Sequence, residues 1–416
     1  MTITKMNISN EMHDAFVKTH QNGDLLQLTD WATSKSASGW YARRIAVGRD
    51  GDLVGVGQLL FKKVPKMPYT ICYVSRGFVV DYEDTEAVEA LVKDAIAVAK
   101  SEKSYVVKID PDVEVEHKGN MMEHLKSLGF IHRGFGEGLS KDYIQPRMTM
   151  ITDISVDDNA LLQSFERNNR SKVKRSLKMG TECVKGDRSD LQTFAELMKI
   201  TGERDGFLIR DVSYFENIYD ALNPNGDAEV FLVKLVPGKV IDNLTRELQS
   251  IEQEKEKLLQ KKDQKKAQNQ INDLNIKVEK MNKQIVELEA LKATHPDGKV
   301  LSGALLTFAG KKSYYLYGAS SNEFRDYLPN HNMQFSMMQY ARSVGATSYD
   351  FGGTNKEPDK DSKYFGLWQF KKVWGTHLSE KVGEFDYVLN KPIYNLIEVV
   401  KPKMTALKKK IKIKTK

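Results

Sequence analysis

The sequence predicts an α/β (α+β) architecture of two tandem domains built on one plan, with an antiparallel coiled-coil helical arm inserted in the second. Three observations carry this prediction. The order strand, turn, strand, strand, helix, strand, helix runs twice along the chain. The first hairpin of the second run is interrupted between Leu235 and Val300. The interruption itself has the apolar spacing of a two-stranded coiled coil.

The first repeat opens with Arg43–Arg49 and Leu53–Leu60 on either side of Asp50-Gly51. Asp-Gly between alternating runs is a strong hairpin signal, because the tight turn needs positive φ at its centre. Thr70–Gly77 supplies a third strand. Thr85–Lys100 sets Ala87, Val88, Leu91, Val92, Ala95 and Ile96 at helical spacing. Tyr105–Asp110 reads as a buried strand, and a short helix ends near Phe130. The second repeat follows the same order with Phe231–Leu235, Leu301–Leu306 and Tyr314–Ser320. A helix at Met333–Val344, a strand at Ser348–Gly353 and a closing element at Phe370–Gly375 complete it.

Between the repeats, Tyr143–Met150 reads as a connecting strand. Leu161–Leu177, Asp190–Thr201 and the stretch from Ser213 to Leu222 read as helices. Phe385–Leu389 follows the second repeat, and after Pro392 comes an apolar, then basic, helix expected to return to the first domain. The domains so drawn are 1–150 with 382–416, and 151–239 with 295–381; residues 240–294 form the arm.

The arm carries Ile241, Leu244, Leu248, Ile251 and Leu258 on one stripe and Ala267, Ile271, Leu274, Val278, Met281, Ile285 and Leu288 on another. Steps of three and four make each half an amphipathic helix with a narrow seam, interrupted only by Lys255. The charged stretch Lys261–Lys266 breaks the phase, as the tip of a helical hairpin does. Such a projection serves pairing with a second chain, contact with a long partner, or neither.

With 416 residues, 40% of them hydrophobic, the chain is long enough for two or three globular domains. Two cysteines, Cys72 and Cys183, offer neither metal-ligand spacing nor a disulfide framework, so a reducing cytoplasm and no metal are expected. The start of the chain lacks the plan of a signal peptide, and no run approaches eighteen apolar residues, so the expectation is a protein that stays inside. The net charge of +7 concentrates in Asn169–Lys178 and Lys408–Lys416. Each basic run is either a solvated face or a site for a polyanion: RNA, an anionic leaflet or a phosphate-bearing substrate.

The repeated plan is that of the Gcn5-related acetyltransferase fold, and a chain carrying it twice resembles the FemABX peptidyltransferases from Asp24 to Leu389. The residues that carry the resemblance are Trp31-Ala32 with Lys35, Ser75-Arg76-Gly77 with Asp81, Ile109-Asp110-Pro111, Gln145-Pro146-Arg147 and Ser171-Lys172-Val173-Lys174. They continue with Gly202-Glu203-Arg204-Asp205-Gly206, Arg210 and Tyr214, Tyr315-Leu316-Tyr317, Phe351-Gly352-Gly353-Thr354 and Phe370-Lys371. The inserted arm, similar to the tRNA-contacting arm of seryl-tRNA synthetase, narrows the match to the staphylococcal branch. Trp40–Arg44, Gly138–Arg147 and Tyr327–His331 look most like its members that add the first glycine of the interpeptide bridge.

The resemblance implies an aminoacyltransferase that takes glycine from glycyl-tRNA and adds it to the stem-peptide lysine of lipid II, the peptidoglycan precursor. The alternatives are FemA- or FemB-like addition of later glycines, transfer of serine or alanine, or a non-catalytic RNA-binding or scaffold protein. It further implies FemA- or FemB-like partners or a homodimer, and peripheral contact with the inner face of the membrane. No cofactor is implied. Neither repeat shows the Gln/Arg-x-x-Gly-x-Gly/Ala loop that cradles a coenzyme A pyrophosphate before a helix; Gly318-Ala319-Ser320-Ser321-Asn322 does not fit it.

An aminoacyl ester is already activated, so the reaction needs a neutral amine, alignment and a positive group at the developing oxyanion rather than a protein nucleophile. By resemblance, Lys371 with Phe370 takes the oxyanion or a tRNA phosphate; otherwise Lys371 is one surface lysine among several. Lys35 and Arg210, with Tyr214, take the precursor's pyrophosphate, arginine as a fork and lysine as a point charge. Asp110, at a strand end before Pro111, either orients the attacking ammonium or simply forms a turn. Tyr315 and Tyr317, as alternate residues of one strand, are expected to share a face, lining a peptide channel or the core.

Overall fold

Asp50 and Gly51 both take positive φ, 53° and 96°, which lets the chain reverse tightly between two long strands. In the computed structural model, which describes residues 2–139, 143–260 and 263–400, those strands are the second and third of fifteen. The first half contributes β1 (Ile3–Lys5), β2 (Trp40–Arg49), β3 (Asp52–Lys63), β4 (Thr70–Val74), β5 (Val79–Val80), β6 (Ser104–Ile109) and β7 (Ile131–His132). The second contributes β8 (Met148–Asp153), β9 (Thr181–Lys185), β10 (Ala228–Leu235), β11 (Lys299–Ala309), β12 (Lys312–Ser320), β13 (Ser348–Gly353) and β14 (His377–Glu380). Last comes β15 (Phe385–Val388).

One sheet runs β1-β2-β3-β4-β6-β15-β7, with β5 beside β3, and the other β14-β8-β13-β12-β11-β10-β9. Read from opposite ends, the orders match, so the chain is a tandem of two acetyltransferase-like domains. Each has an antiparallel hairpin and then one parallel pair, β4 with β6 and β12 with β13. Each next receives a strand from outside its own repeat. In the first sheet that strand is β15, which has crossed the whole second domain to pair with β6; in the second it is β8. Met148 to Met150, drawn with the first domain from sequence, pair with β14 and so belong to the second sheet.

Three large buried clusters fill the two domains and the space between them. Helix Thr85–Ser101 and the first sheet enclose Leu59, Phe61, Val88, Leu91 and Val107, while Leu306, Phe335, Tyr349 and Trp374 fill the second domain. The third cluster is shared. Val17, Leu28, Trp31 and Val56 of the first domain pack against Phe194, Phe215, Val230 and Leu305 of the second. Gly310 shows how close this approach is: its φ is +59°, and a Cβ there would lie 1.8 Å from the Lys18 carbonyl oxygen. Burial of apolar surface between the halves therefore holds them as one body.

The arm is the helical pair Pro237–Leu259 and Gln264–Thr294, about 35 and 45 Å long at 1.5 Å per residue. Pro237 occupies the first helical position, where its missing N–H costs nothing. Ile251, Leu258, Ala267, Met281 and Leu288 are buried in the seam. Lys255 lies half-buried there and turns its ammonium to Glu252 at 2.7 Å, and Glu247 pairs with Lys277 across the helices at 2.6 Å. At the base, Val240, Leu288 and Leu291 pack on Leu235, Leu301 and Tyr327, and Gln284 donates to the Tyr327 hydroxyl at 2.6 Å. Among the described residues no helix is long and apolar enough to cross a membrane. The basic run Lys408–Lys416 lies outside the described residues.

Candidate active site

The parallel pairing of β12 with β13 covers only Lys312–Tyr314 and Ser348–Asp350. Beyond it a cavity of about 520 Å3 lies between Tyr314–Tyr317 on one side and Asp350, Gly352 and Gly353 on the other. The first domain closes it with Trp31, Lys35, Trp40, Tyr73 and Arg76. The site is thus interdomain, and neither repeat alone could build it.

One end is cationic. Lys35, the last residue of helix Thr29–Lys35, holds its ammonium 3.9 Å from the Trp31 ring centroid and 3.5 Å from the Tyr214 hydroxyl. Arg210 stacks on the same Tyr214 ring at 4.8 Å, and the Tyr214 hydroxyl shares a 2.7 Å hydrogen bond with that of Tyr317. Burial pushes the Lys35 pKa down, and the Arg210 charge pushes the same way. Two cations on one phenol, one of them partly desolvated, suit a multiply charged anion whose arrival relieves their repulsion.

The other end, at Gly352-Gly353, lies over Lys371, which does not itself line the cavity. Helix Phe365–Lys372 buries this side chain, 5% exposed, beneath Gly352-Gly353, and its ammonium donates to the Gly353 carbonyl at 2.6 Å. Burial lowers its pKa to about 8, with Asp350 acting in the opposite direction. Phe370 points away from the cavity and packs edge-on against Phe351 in the second-domain core.

Asp110 lies behind the cavity wall. Its Oδ1 accepts from the Tyr73 hydroxyl and from the Arg76 backbone N–H, both at 2.8 Å. Oδ2 is 3.6 Å from the Arg76 guanidinium and has no hydrogen-bond partner. Burial raises this carboxyl to about 7, against the pull of Arg76. Tyr73 and Arg76 line the cavity; Asp110 instead borders a separate space of about 10 Å3.

The shared-face expectation for Tyr315 and Tyr317 is overturned by a β-bulge. Leu305 is opposite Tyr317 and its neighbour Leu306 is opposite Tyr315, which leaves Leu316 as the extra residue. Tyr317 therefore packs with Phe215 on the interdomain face, and Tyr315 packs with Phe351 on the other. Both still border the cavity, where the strands part.

Arg76, within the Ser75-Arg76-Gly77 motif, and the buried charges below the site have no role that the sequence alone assigns. Arg76 takes φ +59°, unusual for a residue with a side chain. Asp112 bridges Lys312 at 2.6 Å and Lys381 at 2.9 Å, and Tyr314 donates to Asp24 at 2.9 Å. Despite its burial, Asp112 is held well below the usual carboxylate range by Lys312, Lys381 and Arg76. Arg76 and Gly77 both take positive φ, and the glycine after Arg76 was a local signal of a tight turn; the Asp112 bridges had none, since their members come from distant segments.

Residues 8–402 match the FemAB family. The chain belongs to the FemAB family. The lipid II:glycine glycyltransferase of Staphylococcus saprophyticus is 64% identical to it over 412 residues, covering 99% of each chain. The protein of the same name from Staphylococcus aureus (strain USA300) is 64% identical over 417 residues, again covering 99% of each. A crystal structure of FemX superposes with a TM-score of 0.87 at 65% identity, covering 95% of this chain and 100% of that one. Among the described residues of this FemAB protein, no group of three or more His, Cys, Asp and Glu is disposed to hold a metal.

Proposed function

We propose that this chain is a lipid II:glycine glycyltransferase that adds the first glycine of the interpeptide bridge, from glycyl-tRNA, to the stem-peptide lysine. The observation that carries the reading is one interdomain cavity running from the Lys35 and Arg210 cations to the Gly352-Gly353 stretch above Lys371. The names of relatives that match it over 99% of both chains support it.

In this reading the pyrophosphate of lipid II sits against Lys35 and Arg210, and its peptide runs past Tyr315 and Tyr317 toward Gly353. The lysine ε-amine, as the free base, attacks the glycyl ester carbonyl. The C–O bond to the terminal ribose breaks, an amide forms, and the amine's proton passes to the ribose hydroxyl that leaves. Lys371 uses one N–H on the Gly353 carbonyl; its charge and remaining donors favour the tetrahedral oxyanion. Phe370 fixes the helix that carries it, and Asp110 acts as a positioning residue through Tyr73 and Arg76. The protein meets the membrane through its lipid-linked substrate.

The test is to offer radiolabelled glycyl-tRNA with lipid II, and in parallel with precursors already bearing one or three glycines. Label on unmodified lipid II alone is expected. Label on the glycylated precursors alone assigns a later step, and no transfer to any of them refutes the reading.

A further inference from the structure

The basic run between Arg167 and Lys178 has no part in the chemistry above, and the structure shows how it is displayed. Helix Arg167–Ser176 buries Asn169, Val173 and Ser176. On the opposite side, at steps of three and four, stand Arg167, Arg170 and Lys174, with Arg175 beside them; half-buried Lys172 lies toward His331, and Lys178 follows in the turn after the helix. Arg167, Lys174, Arg175 and Lys178 are exposed. Among the described residues none of these six has a carboxylate within 4.0 Å, whereas the surface residue Arg188 is paired with both Glu216 and Asp220. Six uncompensated cations in twelve residues repel one another, so the face is stabilised when a polyanion covers it.

Its position selects the polyanion. The Glu166 N–H and the Asn169 side-chain amide both donate to the Val373 carbonyl, at 3.1 and 3.2 Å, two residues beyond Lys371. Phe165, just before the helix, packs edge-on against Trp374 at 5.2 Å. The cationic stripe is therefore anchored to the segment that carries the Lys371 end of the cavity, away from the Lys35 and Arg210 end. It has no apolar face to insert into a lipid surface, since its uncharged side is occupied by the core; Leu177 is an isolated exposed apolar residue beside it.

We infer that this face holds the phosphodiester backbone of the donor tRNA next to its acceptor end, so that donor and lipid-linked acceptor enter the cavity from opposite ends. The inference rests on the proposed use of glycyl-tRNA. From Arg167 to Lys174 the stripe is about 10 Å long at helical rise, and Lys178 extends it into the following turn, enough to meet more than one phosphate of a folded stem.

The test uses the full chain with Arg167, Lys174 and Lys178 all changed to alanine, leaving Arg170 in place because it bonds Gln163 and the Phe165 carbonyl. Two donors are compared, complete glycyl-tRNA and a glycylated trinucleotide ending in the same adenosine. The variant is expected to raise KM for glycyl-tRNA roughly tenfold or more, leave kcat unchanged, and flatten the slope of log affinity against log salt by about three. Kinetics with the trinucleotide should be unaltered. An unchanged KM for the complete tRNA overturns the inference, and so does an equal loss with both donors. Binding to anionic phosphatidylglycerol vesicles that disappears in the variant, with tRNA kinetics intact, assigns the face to the membrane instead. Failure of the unaltered protein to use either donor condemns the proposed function itself, and is thereby told apart.

Discussion

Lys371→Met separates what the buried ammonium costs the fold from what it does for transfer. The side chain is 5% exposed, and burial takes its pKa from the usual 10.5 to about 8. At 1.36 kcal/mol per pH unit, this difference opposes folding by about 3 kcal/mol at neutral pH. Between pH 8 and 10.5 the unfolded chain binds a proton that the folded chain has lost, so wild-type stability rises with pH across that window. Below pH 8 the full cost is present. Methionine removes it and gives up the hydrogen bond to Gly353, worth about 1 kcal/mol. The variant should then be more stable than wild type by about 2 kcal/mol at pH 7, an advantage that disappears by about pH 10.5. Urea unfolding followed by tryptophan fluorescence at pH 7 and pH 10 measures both. Transfer by the same variant should fall about 100-fold or more in kcat, the usual cost of removing one oxyanion donor. A variant that is destabilised at pH 7, or whose stability relative to wild type is the same at both pH values, refutes the argument that Lys371 is held charged against its surroundings.

Three further outcomes are expected. Tyr214→Phe keeps the ring under Arg210 but removes the hydroxyl that meets Tyr317 and Lys35; KM for lipid II should rise about tenfold for roughly 1.4 kcal/mol lost, with kcat little changed, in steady-state assays. Asp110→Asn retains an acceptor for Tyr73 and the Arg76 N–H, so the pH–rate profile should keep its shape, and a lost limb near pH 7 would make Asp110 the proton acceptor. Because burial lifts this carboxyl from 3.8 to about 7, the folded state keeps a proton there that the unfolded chain releases. Wild-type stability relative to the variant should therefore fall as pH rises from about 4 to 7, by about 4 kcal/mol at most in urea titrations. Removing residues 248–283 of the arm and closing the helices with a short glycine-serine turn spares the base formed by Val240, Leu288, Leu291 and Gln284. The protein should stay folded by circular dichroism and show a raised KM for glycyl-tRNA but not for a glycylated trinucleotide; unchanged KM with loss of self-association in sedimentation assigns the arm to pairing.

Much of the site was legible only through likeness to a family. Lys35 and Tyr214 are 179 residues apart, and neither stands in a pattern that local chemistry would single out. The family motifs named both, and the interdomain packing brings them together. Where a local rule stood in for tertiary information, it failed: alternation put Tyr315 and Tyr317 on one face, and a single unpaired Leu316 put them on two. Asp110 was recognised as a carboxylate at a strand end, but its two hydrogen bonds turn it into the wall behind Tyr73 and Arg76.

What the chain's order of residues determined by itself was periodic: two runs of the same strand-and-helix plan, a hairpin opened at Pro237 and closed at Gly298, and a heptad seam between them. Periodicity is a property of neighbours three, four or two places apart, so it survives without knowledge of the fold. Tertiary structure decided what depends on distant segments meeting: the crossing of β15 into the first sheet, the cavity shared by both repeats, and the burial that makes Lys371 and Asp110 titrate near neutrality. Those follow from desolvation and from the match between two surfaces, which no stretch of the chain contains alone.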